Sequence, residues 1–192
     1  MEKNGGHLTQ EQIQEENLLV EQAKNDPVKF GVLYDRYFEP IFNFVYRRSD
    51  DEEVAADITS QTFVKALENI KKYEFRGVPF SAWLFRIATN EVNRYYRKKH
   101  KKMVFSLEEE VIKGLVNEEE ADDLRDKLPQ ILEILNEAPT QLVEILELRF
   151  FEDRSFKEIS YILGISESGA KMRTYRAIEK IREILNTRTG AL

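Results

Sequence analysis

Apolar residues in this sequence recur three and four positions apart, and no stretch alternates apolar with polar residues over the length of a strand. This spacing is typical of helices that bury one face, so it predicts an all-α fold. Examples are the stripe from Phe30 to Val45 and the stripe from Phe80 to Tyr95. A chain of 192 residues suits two small helical domains better than one large domain.

Residue composition excludes several kinds of chemistry. The sequence has no cysteine, and its histidines, His7 and His100, lie in polar or basic surroundings. Disulfides and thiolate metal sites are therefore excluded, and we expect neither a metal nor another cofactor. We find no nucleophile with a paired base, no phosphate-binding glycine loop and no metal-ligand spacing, so we expect no enzymatic activity. No apolar run reaches bilayer length, which predicts a cytoplasmic protein.

Charge and helix signals divide the chain into four segments. Residues 1–25 form a polar leader, after which an aspartate and a proline supply a helix cap and a first-turn proline. Residues 26–102 form a first helical domain that ends in a basic cluster, and residues 103–122 form an acidic linker. Residues 123–187 form a second helical domain. The formal net charge of -6 thus hides two adjacent segments of opposite sign.

A helix-turn-helix signal lies in the second domain. Ser155 and Glu158 have the spacing of a capping box, and Gly164 suits the left-handed end of a short helix. Two helices joined by such a turn can place the second one in the major groove of DNA. The outer face of that helix, with its cap, carries side chains able to contact bases or phosphates: Ser166, Ser168, Lys171, Met172, Arg173, Tyr175 and Arg176. The alternative is a helical hairpin whose basic face is only solvated.

The residues of both domains resemble the conserved regions of extracytoplasmic-function RNA polymerase sigma factors, in the expected order. In the first domain the matching strings run from Leu33 to Tyr37, from Ala56 to Phe63 and from Phe80 to Asn90. In the second domain the match is the string from Leu146 to Phe151 and the helix-turn-helix that follows. The resemblance implies a protein that binds core RNA polymerase and directs promoter-specific transcription initiation. It implies as partners the polymerase clamp coiled coil and flap, promoter DNA and an anti-sigma factor, without a small-molecule substrate.

The resemblance assigns a polymerase-docking role to one face of the second predicted helix of the first domain. The other face carries apolar residues such as Ala56, Phe63 and Leu67, which we expect to lie in the core. The docking face is mostly polar with one apolar residue, and comprises Asp57, Gln61, Val64, Lys65 and Glu68. The charge pattern alone fits a solvated face equally well.

The resemblance also implies that a loop and the helix after it melt the minus-ten promoter element and hold a flipped base. An unpaired base needs stacking surfaces, hydrogen-bond partners and a cationic track for its backbone. These residue types are supplied by Phe75, Arg76, Phe80, Ser81, Asn90, Asn93, Arg94, Arg97 and Lys98. We expect Trp83 in the core, whereas Phe80 fits the core and base stacking equally. The basic helix end can alternatively complement the helix dipole.

The helix-turn-helix falls where the family reads the minus-thirty-five element. The family's turn commonly has glycine, threonine and valine where this chain has Ser168, Gly169 and Ala170, so its promoter preference is an open question. The acidic linker falls where the family threads a connector near the polymerase active-site cleft. A second interpretation of the whole chain is a stand-alone transcriptional regulator that binds duplex operator DNA through the helix-turn-helix.

Overall fold

The computed structural model of the chain describes residues 8–99 and 138–189. The first range forms helices α1 (Gln10–Asn25), α2 (Pro27–Ser49), α3 (Glu52–Asn69) and α4 (Phe80–Lys99), with a 3-10 turn at Ile70–Lys72. The second range forms α5 (Thr140–Leu146), a π-helical turn (Glu147–Phe151), α6 (Phe156–Leu163) and α7 (Glu167–Thr189). These two ranges contain no strand, and the predicted all-α fold is confirmed.

Local sequence signals set the ends of α2 and α3. The Asp26 carboxylate accepts a hydrogen bond from the Val28 N–H at 3.0 Å, and Pro27 occupies the first turn of α2. Asp50 ends α2 in the left-handed conformation, and the Asp51 carboxylate then accepts from the Val54 N–H at 3.1 Å. The chain therefore reverses direction between two capped helices.

Helix α1 corrects the prediction of a polar leader over residues 1–25. Thr9 and Gln12 form a capping box, and Ile13, Val20 and Ala23 are buried against the rest of the first domain. Only these few apolar positions face inward along α1, so the helix gives a weak sequence signal even though it packs against α2 and α4.

The core of the first domain is formed by the predicted apolar stripes, except that the buried face of α3 is rotated about the helix axis. On α3 the buried arc runs through Ala55, Ile58 and Phe63, whereas Ala56 and Leu67, which were predicted to face the core, are exposed. Phe63 is buried as predicted, so the arc is rotated by less than one residue from the predicted one. Trp83 is half-buried, with its ring 5.3 Å from that of Phe80, which agrees with a place at the core.

The helix-turn-helix forms as its sequence signals predict. Ser155 and Glu158 complete both halves of the capping box, and Gly164 ends α6 with a φ of 66°. The Ser166 hydroxyl accepts from the Gly169 N–H at 3.0 Å and so caps α7. Ala170 and Thr174 turn inward, which leaves the other face of α7 to solvent. The linker at residues 103–122, with Lys101 and Lys102 before it, lies outside the described residues.

The two domains pack against each other, chiefly through α4 and α6. Arg154 reaches from the second domain onto the Phe85 ring of α4, with the guanidinium carbon 4.2 Å from the ring centroid. Buried residues of both domains, from Phe44 and Phe85 to Leu148 and Ile159, join in a single apolar cluster. The described residues thus form one closed arrangement.

Candidate nucleic-acid interface

The outer face of α7 presents the predicted duplex-binding residues together. Lys171, Arg173 and Arg176 are exposed, as are Met172 and Tyr175, which keep 51% and 50% of their surface accessible. Ser166 and Ser168 stand at the start of the helix with their hydroxyls 3.3 Å apart. This cationic face with hydroxyl and apolar contacts suits a DNA major groove.

Gly169 stands where the resemblance implies a threonine, and the Ser166 cap leaves little space for a side chain there. A Cβ added at this position would lie 2.9 Å from the Ser166 hydroxyl oxygen, which is closer than real side chains approach. Glycine therefore lets the Ser166 cap sit directly over the first turn of α7. A threonine at this position would force that cap to move.

Most residues predicted to contact the minus-ten element are exposed, either in the loop before α4 or along α4, and these exposed residues are together called the edge of the first domain. Phe75 is 39% exposed in the loop between the 3-10 turn and α4. The remaining exposed members are Arg76, Asn90, Arg94, Arg97 and Lys98. They supply an aromatic ring, an amide and a row of cations, which are the groups that bind single-stranded DNA.

Phe80 differs from these residues because the structure places it in the core. Its ring is 1% exposed and lies 5.3 Å from the Tyr73 ring and 6.3 Å from the Tyr37 ring. Of the two roles that the sequence left open for Phe80, the observed packing fits the core. No face of the ring is available to a base in this arrangement.

Ser81 and Asn93 are in contact with the second domain. The Ser81 hydroxyl accepts from Arg154 Nη1 at 2.9 Å, and Asn93 Nδ2 donates to Glu144 Oε1 at 2.8 Å. Ser81 is buried and Asn93 is half-buried in this arrangement. Both side chains can therefore meet DNA only after the two domains separate.

A buried ionic cluster joins α2 to the second domain. Arg48 Nε lies 2.6 Å from Glu147 Oε2, and Arg48 Nη1 lies 3.5 Å from Glu144 Oε1. Arg47 pairs with Glu152 beside them. Arg48 and Glu147 are 0% and 1% exposed, and burial raises the pKa of the Glu147 carboxyl, although Arg48 and Arg47 act in the opposite direction.

Sequence reasoning did not single out this ionic cluster. A signal for it exists, because Arg48 continues the stripe of Ile41, Phe44 and Val45 on α2. A charge at a core position of a helix indicates that an opposite charge from another element must meet it. The sequence does not show which element supplies that partner.

The predicted docking face of α3 is exposed and more apolar than expected. Asp57, Gln61 and Glu68 are exposed, and Lys65 is half-buried in an ion pair with Glu91 of α4. Val64 is 56% exposed, and Leu67, one turn further along the same helix, is 43% exposed. The face therefore combines two apolar side chains with a polar surround, as in many protein interfaces.

No group of three or more histidine, cysteine, aspartate or glutamate side chains in residues 8–99 and 138–189 is placed to hold a metal ion. No helix in these ranges is long and apolar enough to cross a membrane.

Two family models match the chain, one in each domain. The model described as Sigma-70 region 2 matches residues 33–102, and the model described as Sigma-70, region 4 matches residues 135–183. The first match ends at residue 102, just after the last residue of α4, and the second contains the helix-turn-helix. The edge with Phe75 and Arg94 thus lies in the region 2 match, and the outer face of α7 lies in the region 4 match.

Curated relatives share both regions. The chain is 32% identical to the RNA polymerase sigma factor YlaC of Bacillus subtilis over 76% of this chain and 85% of that protein. It is 28% identical to the ECF RNA polymerase sigma factor SigM of Bacillus subtilis over 80% of this chain and 93% of that protein. It is 29% identical to the ECF RNA polymerase sigma factor BldN of Streptomyces coelicolor, over 87% of this chain but 64% of BldN.

The fold is also found in a solved structure. The chain superimposes on CnrH, solved in complex with the cytosolic domain of CnrY, with a TM-score of 0.62 and 23% identity. The superposition covers 90% of this chain and 97% of that chain, so both helical domains have counterparts. From the two region matches and the relatives that span both regions, we conclude that this chain belongs to the extracytoplasmic-function group of RNA polymerase sigma factors.

Proposed function

We propose that this protein binds core RNA polymerase and directs it to a set of promoters by contacting two separate DNA elements. The observation that carries the proposal is the presence of two exposed cationic surfaces on two domains, the outer face of α7 and the edge that includes Phe75 and Arg94. Within this proposal, residues 26–102 dock on polymerase and melt DNA, residues 123–187 read duplex DNA, and residues 103–122 connect them. The role is regulatory rather than catalytic, and it is exercised in the cytoplasm.

The proposed minus-thirty-five surface predicts the effect of removing Arg176. Replacement by alanine is expected to weaken binding to promoter duplexes by about 1–3 kcal/mol if the guanidinium reads a base. Fluorescence anisotropy with the reconstituted polymerase, on duplexes from promoters that it uses, measures the change. If Arg176 instead contacts a phosphate, the loss of affinity is uniform across sequences. The number of counterions released on binding, read from the salt dependence of the affinity, then falls by about one.

Lys180→Ala is the matched control for Arg176, since Lys180 is exposed on the same helix and carries the same charge. Its removal is expected to leave sequence preference unchanged. Equal losses for the two variants would show that α7 acts only through its total charge.

The proposed docking face predicts the effect of placing a charge at Val64. Val64→Asp puts a carboxylate at the apolar centre of the face and is expected to weaken binding to core polymerase by about 2 kcal/mol or more, as for a central interface residue. Competition against a labelled sigma factor for core polymerase measures the affinity. Leu18→Asp makes the same change at an exposed apolar residue of α1 and is expected to have no effect. Unchanged binding by the Val64 variant would contradict the docking role of α3.

The closed arrangement adds a requirement to the proposed function. Because Arg154 covers Ser81 and Glu144 holds Asn93, we propose that polymerase binding separates the two domains before these side chains reach the minus-ten element. The outer face of α7 needs no such separation. An anti-sigma partner, supported by the family resemblance, would act by favouring the closed arrangement, and CnrH was itself solved with a protein partner.

The exposed face of α7 also favours a second function, that of a stand-alone regulator. Such a protein would bind a duplex operator without polymerase, usually as a dimer on paired half-sites. The two functions are distinguished by adding core polymerase. A sigma factor gains promoter binding in its presence, whereas a stand-alone regulator binds its operator equally well alone.

A further inference from the structure

We propose that Glu16, on α1, is a positioning residue for promoter melting. It fixes the first residue of α4 and, with it, the loop that carries Phe75 and Arg76. The inference rests on the proposed function of that loop. Glu16 lies before residues 33–102, which the region 2 model matches, so neither the family model nor the sequence interpretation assigns it a role.

Glu16 connects three helices through a buried carboxylate. The residue is 3% exposed, and its Oε2 accepts a hydrogen bond from the Phe80 N–H at 2.6 Å. Its Oε1 accepts from the Tyr37 hydroxyl of α2. Arg36 Nη1 lies 3.7 Å from the same oxygen but is half exposed, so the two hydrogen bonds, rather than a buried countercharge, satisfy the carboxylate.

The Phe80 N–H needs this distant partner. It is among the first N–H groups of α4, which have no acceptor within their own helix. The residue before it is Pro79, whose ring offers no oxygen to cap the helix. A carboxylate from α1 therefore replaces a local cap, and its negative charge also suits the positive end of the α4 dipole.

Helix α1 also contacts the other end of the loop. The Lys24 ammonium lies 5.8 Å from the centre of the Tyr73 ring, and Tyr73 is buried against Trp83 at 5.2 Å between centroids. Lys24 and Glu16 thus hold Tyr73 and Phe80, the two buried residues that bracket the loop. Phe75 and Arg76 are exposed between them, in a loop that α1 contacts at both ends and that Lys157 of α6 approaches at Gly77.

Glu16 is expected to affect the orientation of the loop without affecting the binding of polymerase or of duplex DNA. The docking face lies on α3 and the duplex-reading face on α7, and Glu16 contacts neither. Loss of Glu16 should therefore impair the step in which the loop takes a base out of the paired duplex. Supplying the base already unpaired should relieve the defect.

The test compares open-complex formation on two forms of one promoter by polymerase reconstituted with each variant. One template is fully duplex and the other carries a mismatched, already open minus-ten element. The permanganate reactivity of unpaired thymines measures the rate of open-complex formation. Glu16→Ala is expected to slow opening of the duplex template about tenfold, because a charge-assisted hydrogen bond is lost. On the pre-opened template, the rate of open-complex formation is expected to stay within about twofold of the wild-type rate.

Two further variants keep the test decisive if Glu16→Ala folds poorly. Glu16→Gln retains an acceptor for the Phe80 N–H and is expected to slow duplex opening only about threefold, since the neutral acceptor is roughly half as strong. Glu15→Ala removes an exposed carboxylate from the same helix and is expected to behave as wild type. Core binding, measured alongside, should be equal for all variants.

Three results would overturn the inference. Wild-type rates for both Glu16 variants would show that the carboxylate does not position the loop. Equal losses on the duplex and pre-opened templates would show a general structural defect instead. If the wild-type polymerase opened neither template, the proposed function itself would fail, and the role of Glu16 with it.

Discussion

Replacement of Arg48 by alanine is expected to lower the free energy of unfolding by about 3–5 kcal/mol, the usual loss when one partner of a buried ion pair is removed. Arg48 is fully buried and lies 2.6 Å from Glu147 and 3.5 Å from Glu144. Without it, the cation that stays near Glu147 in the described part of the chain is the more distant Arg47, whose Nε is 3.9 Å away. The carboxylate must then be protonated in place or reach water by separation of the domains.

Urea unfolding measures this loss, and a pair of fluorophores on α3 and α7 reports the separation of the domains. The same residues offer a control. Replacing Arg48 and Glu147 together by methionine removes both charges at similar volume, and such replacements are often neutral or stabilising. Glu144 remains hydrogen-bonded to Asn93 in that variant. A loss below about 1 kcal/mol for Arg48→Ala, with the fluorophore distance unchanged, would contradict a buried ionic contact between the domains.

The second large effect is expected at Phe80. Phe80→Ala should lower the free energy of unfolding by about 3–5 kcal/mol, as truncation of a buried phenylalanine usually does. The ring is 1% exposed and meets the rings of Tyr37, Tyr73 and Trp83. Phe80→Leu keeps much of the volume and should cost far less while retaining promoter melting.

Phe75 is the matched control for Phe80, since it is a phenylalanine in the loop that leads into α4 and has 39% of its surface exposed. Phe75→Ala is expected to change stability by no more than about 0.5 kcal/mol, as at other surface positions, and to impair melting. Thermal unfolding and permanganate reactivity separate the two effects. If Phe80→Leu abolished melting in a stable protein, Phe80 would contact DNA after all.

Local signals in the sequence predicted the helix-turn-helix of the second domain well. The capping box at Ser155 and Glu158, the left-handed Gly164 and the exposed face of α7 all depend on residues close together in the chain. Helix caps and amphipathic faces are set by spacing, and spacing is what a sequence displays. The resemblance added the order of the two domains and their family.

Long-range partners were not predictable in the same way. Glu16 lies in a segment with few apolar residues, and its hydrogen-bond partners are 21 and 64 positions away. Arg48 and Glu147 lie 99 positions apart, so neither reveals the other. Phe80 had the residue type suited to either role, and only the rings packed around it distinguish the core from a stacking surface.

The central claim is that this chain selects promoters for RNA polymerase, and mapping transcript starts in a reconstituted reaction tests it most directly. Core polymerase is supplied with genomic DNA templates in the presence and absence of the purified protein. The account predicts that the protein binds the core enzyme and produces a defined set of new start sites, which Val64→Asp reduces. A protein that bound no core polymerase and left the start sites unchanged would contradict the account, however tightly α7 bound duplex DNA.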